Sequence, residues 1–436
     1  MATLHAGFDL SLKTIAVCLM LEDGREPLPR FKIDHTPEGI QTFIDRVLQV
    51  APAHEITALT VGMESTGVFA WPLIDLLRSS EALRPFEPKV YRLDAKQVAN
   101  FKKVYAESSK TDPADAFVIA ERLRFGRLPD PVHADERYLA LQTLTRHRYH
   151  LAHSLIDEKN RYLSRLFLKF SAFAQDAPLS DPFGATAGAL LTEFLSTEEI
   201  AAASVEELIA FVRKRSRNQI ADPEALVQTL QQEAGKSYRL SACLSNPVNL
   251  VLAMTMENIR FFEKQIASLD RVIQRELLAF PLATVLLSVP GIGPVITSGL
   301  LAEIQEIGRF EGEEQLARYA GLAWKEHQSG EFRGDETPLL HSGNAYLRYY
   351  LIEAANTVRM HNAAYRAYYE TKYREARTHA HKRALVLTAR KLVRLIHALL
   401  QRGQLYQPSR NGKEDSAAIG EIARQIRRRK AESATA

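Results

Sequence analysis

Four carboxylates, Asp9, Glu64, Asp112 and Asp115, are the residues of this sequence best suited to chemistry. Asp9 interrupts the apolar run GFDLSLKTIAV, where an unpaired carboxylate is costly to bury, so a functional partner is expected there. Glu64 closes ALTVGME, as an acid at a strand end or at a helix start. Asp112 and Asp115 open KTDPADA, and their i, i+3 spacing puts them on one helical face. Read alone, that pair is better explained as capping: Asp112 before Pro113 makes a good N-cap, and Asp115 falls where capping-box acids sit. Four acids arriving together in an α/β setting favour a divalent ion instead. Mg²⁺ (or Mn²⁺) takes oxygen ligands in near-octahedral geometry and keeps waters and substrate phosphate oxygens. Two such ions ~4 Å apart can activate an attacking oxygen and stabilise a leaving one.

A second set of residues lies far down the chain. In YAGLAWKEHQSGEFRG, Ser329 stands among Lys325, His327 and Arg333. A serine oxygen that attacks a phosphodiester needs cations or metal to hold the phosphate. Ser-Gly in a polar loop is also a common turn, and Ser342 in HSGN is a rival with the same local chemistry. No G-x-S-x-G elbow is present, which argues against an ordinary acyl hydrolase. In SVPGIGPVITSGLLAEI, Gly291 and Gly293 lie between two apolar helical segments. That pattern fits a helix-hairpin-helix holding a phosphate backbone on exposed amides, and equally a plain helical turn with a glycine cap. From Asn344 the chain turns basic and aromatic. Tyr346, Tyr349, Tyr350, Tyr365, Tyr368, Tyr369 and Tyr373 interleave with Arg348, Arg359, Arg366, Lys372, Arg374 and Arg377. Stacking on bases and contacts to phosphates would use that mixture, with about half of the tyrosines expected in the core.

These residues need elements to position them. Residues 4–34 read as strands with a turn at Glu22-Asp23-Gly24. Thr36-Pro37-Glu38 opens a helix with Ile40, Phe43, Ile44, Val47 and Leu48 on its apolar face. Strands follow at 58–64 and 89–95, with a helix through Trp71-Pro72 to Leu77 between them. The alternation predicts an α/β domain with a central mixed sheet. Beyond Asp112 the pattern is helical. Helices are expected at 112–127 and 134–170, and a long amphipathic one at 249–280 carries Ile259, Phe262, Ile266, Leu269 and Ile273. Two long helices flanking the irregular stretch 172–248 suggest an antiparallel coiled-coil arm. The expected domains are 1–130 (α/β), 131–280 (arm with insertion), 281–407 (mainly helical) and 408–436 (a basic polar tail).

Bulk properties narrow the class. With 436 residues, 46% hydrophobic and 25% charged, the chain is neither disordered nor collagenous. Two cysteines exclude a disulfide framework and a cysteine zinc site. No apolar run approaches the ~18 residues of a membrane span, and Asp9 sits where a secretory core would be, so a cytoplasmic setting without membrane is expected. The net charge of +4 hides an asymmetry. Residues 333–430 hold 20 Lys/Arg against 8 Asp/Glu, a net of +12, which leaves −8 for the remainder. A basic end of that kind is the footprint of a polyanion partner or, more blandly, of a solvated helical surface.

Taken together, GFDLSLKTIAV, MESTG, KTDPADA, SVPGIG, YAGLAWKEHQSGEFRG and GNAYLRYYLIEAAN resemble the DEDD-type bacterial insertion-sequence transposases of the insertion-sequence one-ten family, related to the pilin-gene DNA invertases. The resemblance runs over nearly the whole chain. It implies an RNase H-like, resolvase-type N-terminal domain with Asp9, Glu64, Asp112 and Asp115 as a metal-binding tetrad. It further implies a C-terminal domain that supplies Ser329 as nucleophile through a transient phosphoserine link to DNA. The implied partners are donor and target DNA, a structured guide RNA and further copies of the chain, as dimer or tetramer. Three features depart from the pattern: a longer 172–248, His341-Ser342-Gly343-Asn344 where many members carry Lys-x-Gly-Asn, and the tail beyond Pro408. A structure-selective nuclease with water as nucleophile and a non-enzymatic nucleic-acid scaffold are the alternative readings.

Overall fold

A computed structural model of the chain describes residues 2–64, 69–104, 111–129, 131–132, 135–324, 328–329, 332–333, 339–340 and 342–408. The chain divides into two units, residues 1–136 and 137–436. The first is built on strands β1 (Ala2–Leu10), β2 (Thr14–Leu21), β3 (Phe31–Asp34), β4 (Ile56–Glu64) and β5 (Lys89–Leu93). Their order is β3-β2-β1-β4-β5. β1 runs antiparallel to β2 and parallel to β4, so the sheet is mixed, as the alternation predicts. Helices α1 (Pro37–Val50), α2 (Ala70–Ser79), α3 (Ala95–Lys102) and α4 (Asp112–Phe125) complete the unit.

Strand alternation sorts the two faces. Leu4, Ala6 and Phe8 of β1 join Leu59, Val61 and Met63 of β4 in one core with α1 and α2. Thr36 caps α1 by accepting the Gly39 amide at 3.2 Å, and Phe43 meets Phe8 edge-on with ring centroids 4.8 Å apart. Leu48, expected on the buried face, is exposed. The opposite face carries His5, Gly7 and Asp9 of β1, and Thr60, Gly62 and Glu64 of β4. There α4 lies on the sheet, with Ala116 and Ala120 packed among Ala16, Cys18 and Met20 of β2.

That packing depends on two missing side chains. Gly7 and Gly62 face each other in the β1–β4 register. A Cβ on Gly7 would overlap the Ala116 carbonyl oxygen and stand 2.5 Å from the Ala120 amide nitrogen. A Cβ on Gly62 would stand 2.8 Å from Leu123 Cδ2. Glycine inside a strand marks a close approach of another backbone, and here it forms the floor on which α4 rests.

The second unit is helical. A long α5 (Glu136–Lys169) leads through α6 (Ser171–Asp176), α7 (Ala185–Glu193), α8 (Thr197–Ala202), α9 (Val205–Ser216) and α10 (Pro223–Lys236) to a long α11 (Ala242–Glu276). Residues 172–248, irregular in sequence, form several helices whose Leu190 and Leu230 share a core with Tyr162 of α5, Phe170 and Ile259 of α11. Ion pairs Arg148–Asp270 at 2.6 Å and Lys159–Glu263 at 2.8 Å join α5 and α11 in antiparallel order. α11 starts seven residues before the expected position 249 and contains Pro247. That proline lies in the second turn of an exposed helix start, where only one backbone bond is lost. Leu141 and Leu277, at the roots of the two long helices, pack into the core of the remaining elements. These are α12 (Ala283–Leu287), α13 (Pro294–Ile304), α14 (Glu313–Tyr319), the short strands β6 (Gln328–Ser329) and β7 (Phe332–Arg333), α15 (Ala345–His361), α16 (Ala363–Glu375) and α17 (Ala380–Arg402). Among the described residues no helix is long and apolar enough to cross a membrane.

The glycine floor makes a direct prediction. Gly7→Ala is expected to lower the thermal melting point by an amount equivalent to at least ~1–3 kcal/mol, the usual range for overpacking a well-packed site. Gly235, inside α10, has open space where a Cβ would stand. Gly235→Ala is therefore expected to raise stability by about 0.5–1 kcal/mol. Equal melting points for wild type and Gly7→Ala would contradict the packing argument.

Candidate functional site: a carboxylate cluster and a serine-bearing hairpin

Each acid of β1 and β4 stands two residues beyond a floor glycine, in Gly7-Phe8-Asp9 and Gly62-Met63-Glu64. Both therefore project to the face that α4 covers. Asp115 directly precedes Ala116, which rests over Gly7, and Asp112 lies one turn earlier at the positive end of the helix. Thr111, not Asp112, is the N-cap residue, and its side chain makes no capping bond. The local capping alternative for Asp112 is thus not what the helix uses.

Electrostatics link these acids to one another. Burial pushes the Asp9 carboxyl above the ordinary aspartate range, and the charges of Asp115 and Asp112 push it further. Glu64 is raised in the same way, by burial first and then by Asp9, Asp115 and Asp94. Asp112 is exposed and held below its ordinary value, chiefly by its hydrogen bond from Lys32 Nζ at 2.7 Å. Lys102 Nζ donates to Asp115 Oδ1. Among the described residues no three His, Cys, Asp or Glu side chains converge closely enough to enclose an ion. The donor set fits a divalent cation nonetheless. Hard carboxylate oxygens from two strand ends and one helix start influence one another, and the Asp9 and Glu64 carboxyls are raised by burial first and by neighbouring carboxylate charges second. Two lysines, which the sequence reading passed over, stand at this site.

In the second unit, Ser329 lies on β6, paired with Phe332 of β7, and Gln328 pairs with Arg333. The side chains of Ser329 and Arg333, and residues Lys325, His327 and His341, lie outside the described residues. The stems of this hairpin are well held. Trp324 pairs with Leu339, the Leu340 amide donates to the Ala323 carbonyl at 2.7 Å, and the Asn344 amide to that of Tyr319 at 2.7 Å. Gly321 and Gly343, both at positive φ, let the two stems touch. Ser342, the rival serine, is exposed on the second stem, and its carbonyl oxygen packs against Gly321.

Asn344 caps α15 by accepting the Tyr346 and Leu347 amides. Its amide nitrogen donates to Glu303 Oε2 at 2.6 Å. Glu303 is fully buried on α13 and receives two bonds from Arg146 of α5, at 2.8 and 2.9 Å. One buried carboxylate thus ties α5, α13 and the hairpin stem together. The sequence signal for Glu303 is the same as for Asp9, a lone acid in an apolar segment.

The glycine-rich turn joins α12 to α13. Gly291 has φ +94° and packs on the Thr357 backbone, whereas Gly293 caps α13 with open space around its Cα. Among the basic residues, Arg348 donates to the Ala320 carbonyl at 3.4 Å, and Arg359 bonds Asn356 and covers the Tyr369 ring. Arg366 donates to the Met360 carbonyl at 2.6 Å, satisfying the open end of α15. Tyr350, Tyr365 and Tyr369 are buried, while Tyr373 is exposed.

Two family models match this chain, and both describe enzymes that move DNA. The DEDD model of IS110 transposases matches residues 6–170, and the model "Transposase IS116/IS110/IS902 family" matches residues 283–370. Between them they account for more than half of the chain, including all four acids and Ser329. The chain belongs to the IS110 family of transposases and is a DNA transposase. Enzymes of the DEDD class generally use a divalent metal. The uncharacterized 42 kDa protein of insertion element IS900 from Mycobacterium paratuberculosis is 22% identical over 93% of this chain and 97% of its own length. The uncharacterized 44.8 kDa protein of IS116 from Streptomyces clavuligerus is 25% identical over 70% and 74%. A pilin gene-inverting protein of Moraxella bovis is 27% identical over 56% and 70%.

The raised carboxyls set a pH dependence. Asp9 and Glu64 bind protons more tightly in the folded chain than in the unfolded one, so without metal the fold loses stability as pH rises through their window toward neutral. Asp9→Asn is therefore expected to melt at a higher temperature than wild type in EDTA at pH 7. The advantage should shrink as pH falls into the acid range, where the native carboxyl takes up its own proton. A variant that melts lower than wild type at pH 7 would contradict the reading of Asp9 as an under-compensated charge.

Proposed function

We propose that this transposase excises and inserts its mobile element through metal-binding carboxylates and a serine nucleophile. Asp9, Glu64, Asp112 and Asp115 hold Mg²⁺ or Mn²⁺, which supplies charge neutralisation at a scissile phosphate. The Ser329 oxygen attacks phosphorus and forms a phosphoserine ester. One ester bond of the DNA backbone breaks, and the departing deoxyribose hydroxyl takes up a proton. Attack by a hydroxyl of another strand reverses the step, so strands are rejoined without an external energy source. The acids belong to the first unit and the serine to the second, and in this reading they are supplied by different subunits of a dimer or tetramer.

The observation that carries the proposal is the arrival of four acids at the end of the glycine-floored sheet, with Asp9 raised by burial and by the charges of Asp115 and Asp112, and Glu64 by burial and by those of Asp9 and Asp115. The first unit, a mixed sheet covered on both faces by helices, suits an RNase H-like, resolvase-type domain. The α12–Gly291/Gly293–α13 turn suits a helix-hairpin-helix on the phosphate backbone, together with Arg333, Arg348, Arg359 and Arg366. The net charge of +12 over residues 333–430 suits donor DNA, target DNA and a structured guide RNA, all held by salt-sensitive contacts in the bacterial cytoplasm. Leu250, Val251, Met254 and Phe261 leave an exposed apolar strip on α11 that suits a second copy of the chain.

On denaturing gels, wild type with Mg²⁺ and element-end DNA is expected to form a covalent protein–DNA adduct that Ser329→Ala abolishes. Asp9→Asn is expected to abolish metal-dependent cleavage. Cleavage by Ser329→Ala at the wild-type rate, with free DNA ends, would overturn the serine and favour water as nucleophile. Cleavage by Asp9→Asn at the wild-type rate would overturn the metal site.

A further inference from the structure

We propose that Lys32 and Lys102 are resident counter-cations of the carboxylate site, displaced when a divalent ion enters and taken up by the phosphates of bound DNA. Metal and DNA then bind cooperatively. The inference rests on the reading of the four acids as a metal site and adds to it how that site is kept unloaded until DNA arrives.

The two lysines come from elements that carry none of the four acids. Lys102 ends α3, and its contact with Asp115 is largely enclosed, the side chains being 22% and 30% exposed. Lys32 reaches Asp112 from the edge strand β3 at 2.7 Å. Their influence extends beyond these partners: both lysines oppose the upward shift of Asp9, and Lys102 opposes that of Glu64. Each ammonium therefore acts on more than its own partner, Lys32 on Asp112 and Asp9, and Lys102 on Asp115, Asp9 and Glu64. Of the four acids, Asp112 and Asp115 hold a lysine where a ligand would hold an ion.

Displacement follows from charge. A divalent ion among these oxygens either has one or two ammonium groups as like-charged neighbours or drives them out. Driving them out breaks two ion pairs and returns the ammonium groups to water. Lys32 has room to move, since it lines an open cleft of about 310 Å³ together with Thr14, Asp34, Thr36, Glu38 and Thr42. A DNA backbone beside the site offers each displaced ammonium a phosphate in place of its carboxylate. The cost of loading metal then falls when DNA is present, and by linkage metal strengthens DNA binding by the same factor.

The test measures Mn²⁺ affinity of the full chain by electron paramagnetic resonance, without DNA and with a saturating mixed-sequence duplex. Wild type is expected to bind Mn²⁺ about tenfold more tightly with duplex, equivalent to about 1.4 kcal/mol of coupling. Lys102→Met and Lys32→Met should each bind Mn²⁺ more tightly than wild type without DNA, with correspondingly weaker coupling. Lys102→Arg, which keeps the charge, should behave as wild type. Because the Lys32–Asp112 pair is exposed, Lys32→Met tests the idea even if Lys102→Met destabilises the fold. Equal or weaker Mn²⁺ affinity in both methionine variants, or no effect of duplex on wild type, would overturn the counter-cation role alone. Mn²⁺ binding that Asp9→Asn leaves unchanged would instead overturn the metal site on which it rests.

Discussion

The close seating of α4 on two facing glycines is the constraint from which the carboxylate site follows. Gly7 and Gly62 allow a helix backbone to approach β1 and β4 where any Cβ would meet Ala116, Ala120 or Leu123. Because side chains alternate along a strand, the residues two positions on, Asp9 and Glu64, must point to the side that the helix occupies. Because α4 begins just ahead of Ala116, its first-turn acids arrive over the same strand ends. The site is a geometric consequence of an absence: with larger residues at 7 and 62 the helix would stand off, and the acids would part.

Bringing four acids together works against folding unless their charge is answered. The structure answers it partly, with Lys32 and Lys102 drawing on Asp112 and Asp115, while Asp9 and Glu64 keep raised pKa values. A site that is under-compensated but ordered is what a divalent ion can complete. The second unit handles the buried carboxylate of Glu303 differently. Glu303 is satisfied by Arg146, Gln142 and Asn344, and it serves to hold the stem of the serine hairpin. A surplus of charge marks the carboxylate cluster, whereas Glu303 has its charge answered by Arg146.

Much of this was legible in the chain. Asp9 stood out because an acid within an apolar strand demands a reason, and the Thr36 cap and the mixed sheet followed from local residue types. The glycine pair was equally visible, as glycines inside two apolar runs, but its meaning needed the β1–β4 register, which the sequence does not display. Lys32 and Lys102 lay in ordinary polar surroundings and gave no spacing signal. Helix α3 escaped notice because AKQVANFK buries only Val98 and so shows almost no apolar period. Helix α11 begins at Ala242, seven residues ahead of the expected 249, and carries Pro247 within its exposed start. Arg359 and Arg366, which the sequence suggests as phosphate contacts, also bond Asn356 and the Met360 carbonyl at the junction of α15 and α16, a role with no sequence signal.

The central claim is that the glycine-floored acids form one divalent-metal site. Anomalous diffraction at the manganese edge, from crystals of the chain grown with Mn²⁺, tests it most directly. The account predicts an anomalous peak bounded by carboxylate oxygens of Asp9, Glu64 and the α4 acids, with the Lys102 ammonium withdrawn from Asp115. A peak elsewhere with Lys102 still paired to Asp115, or no peak at these acids at saturating Mn²⁺, would contradict it.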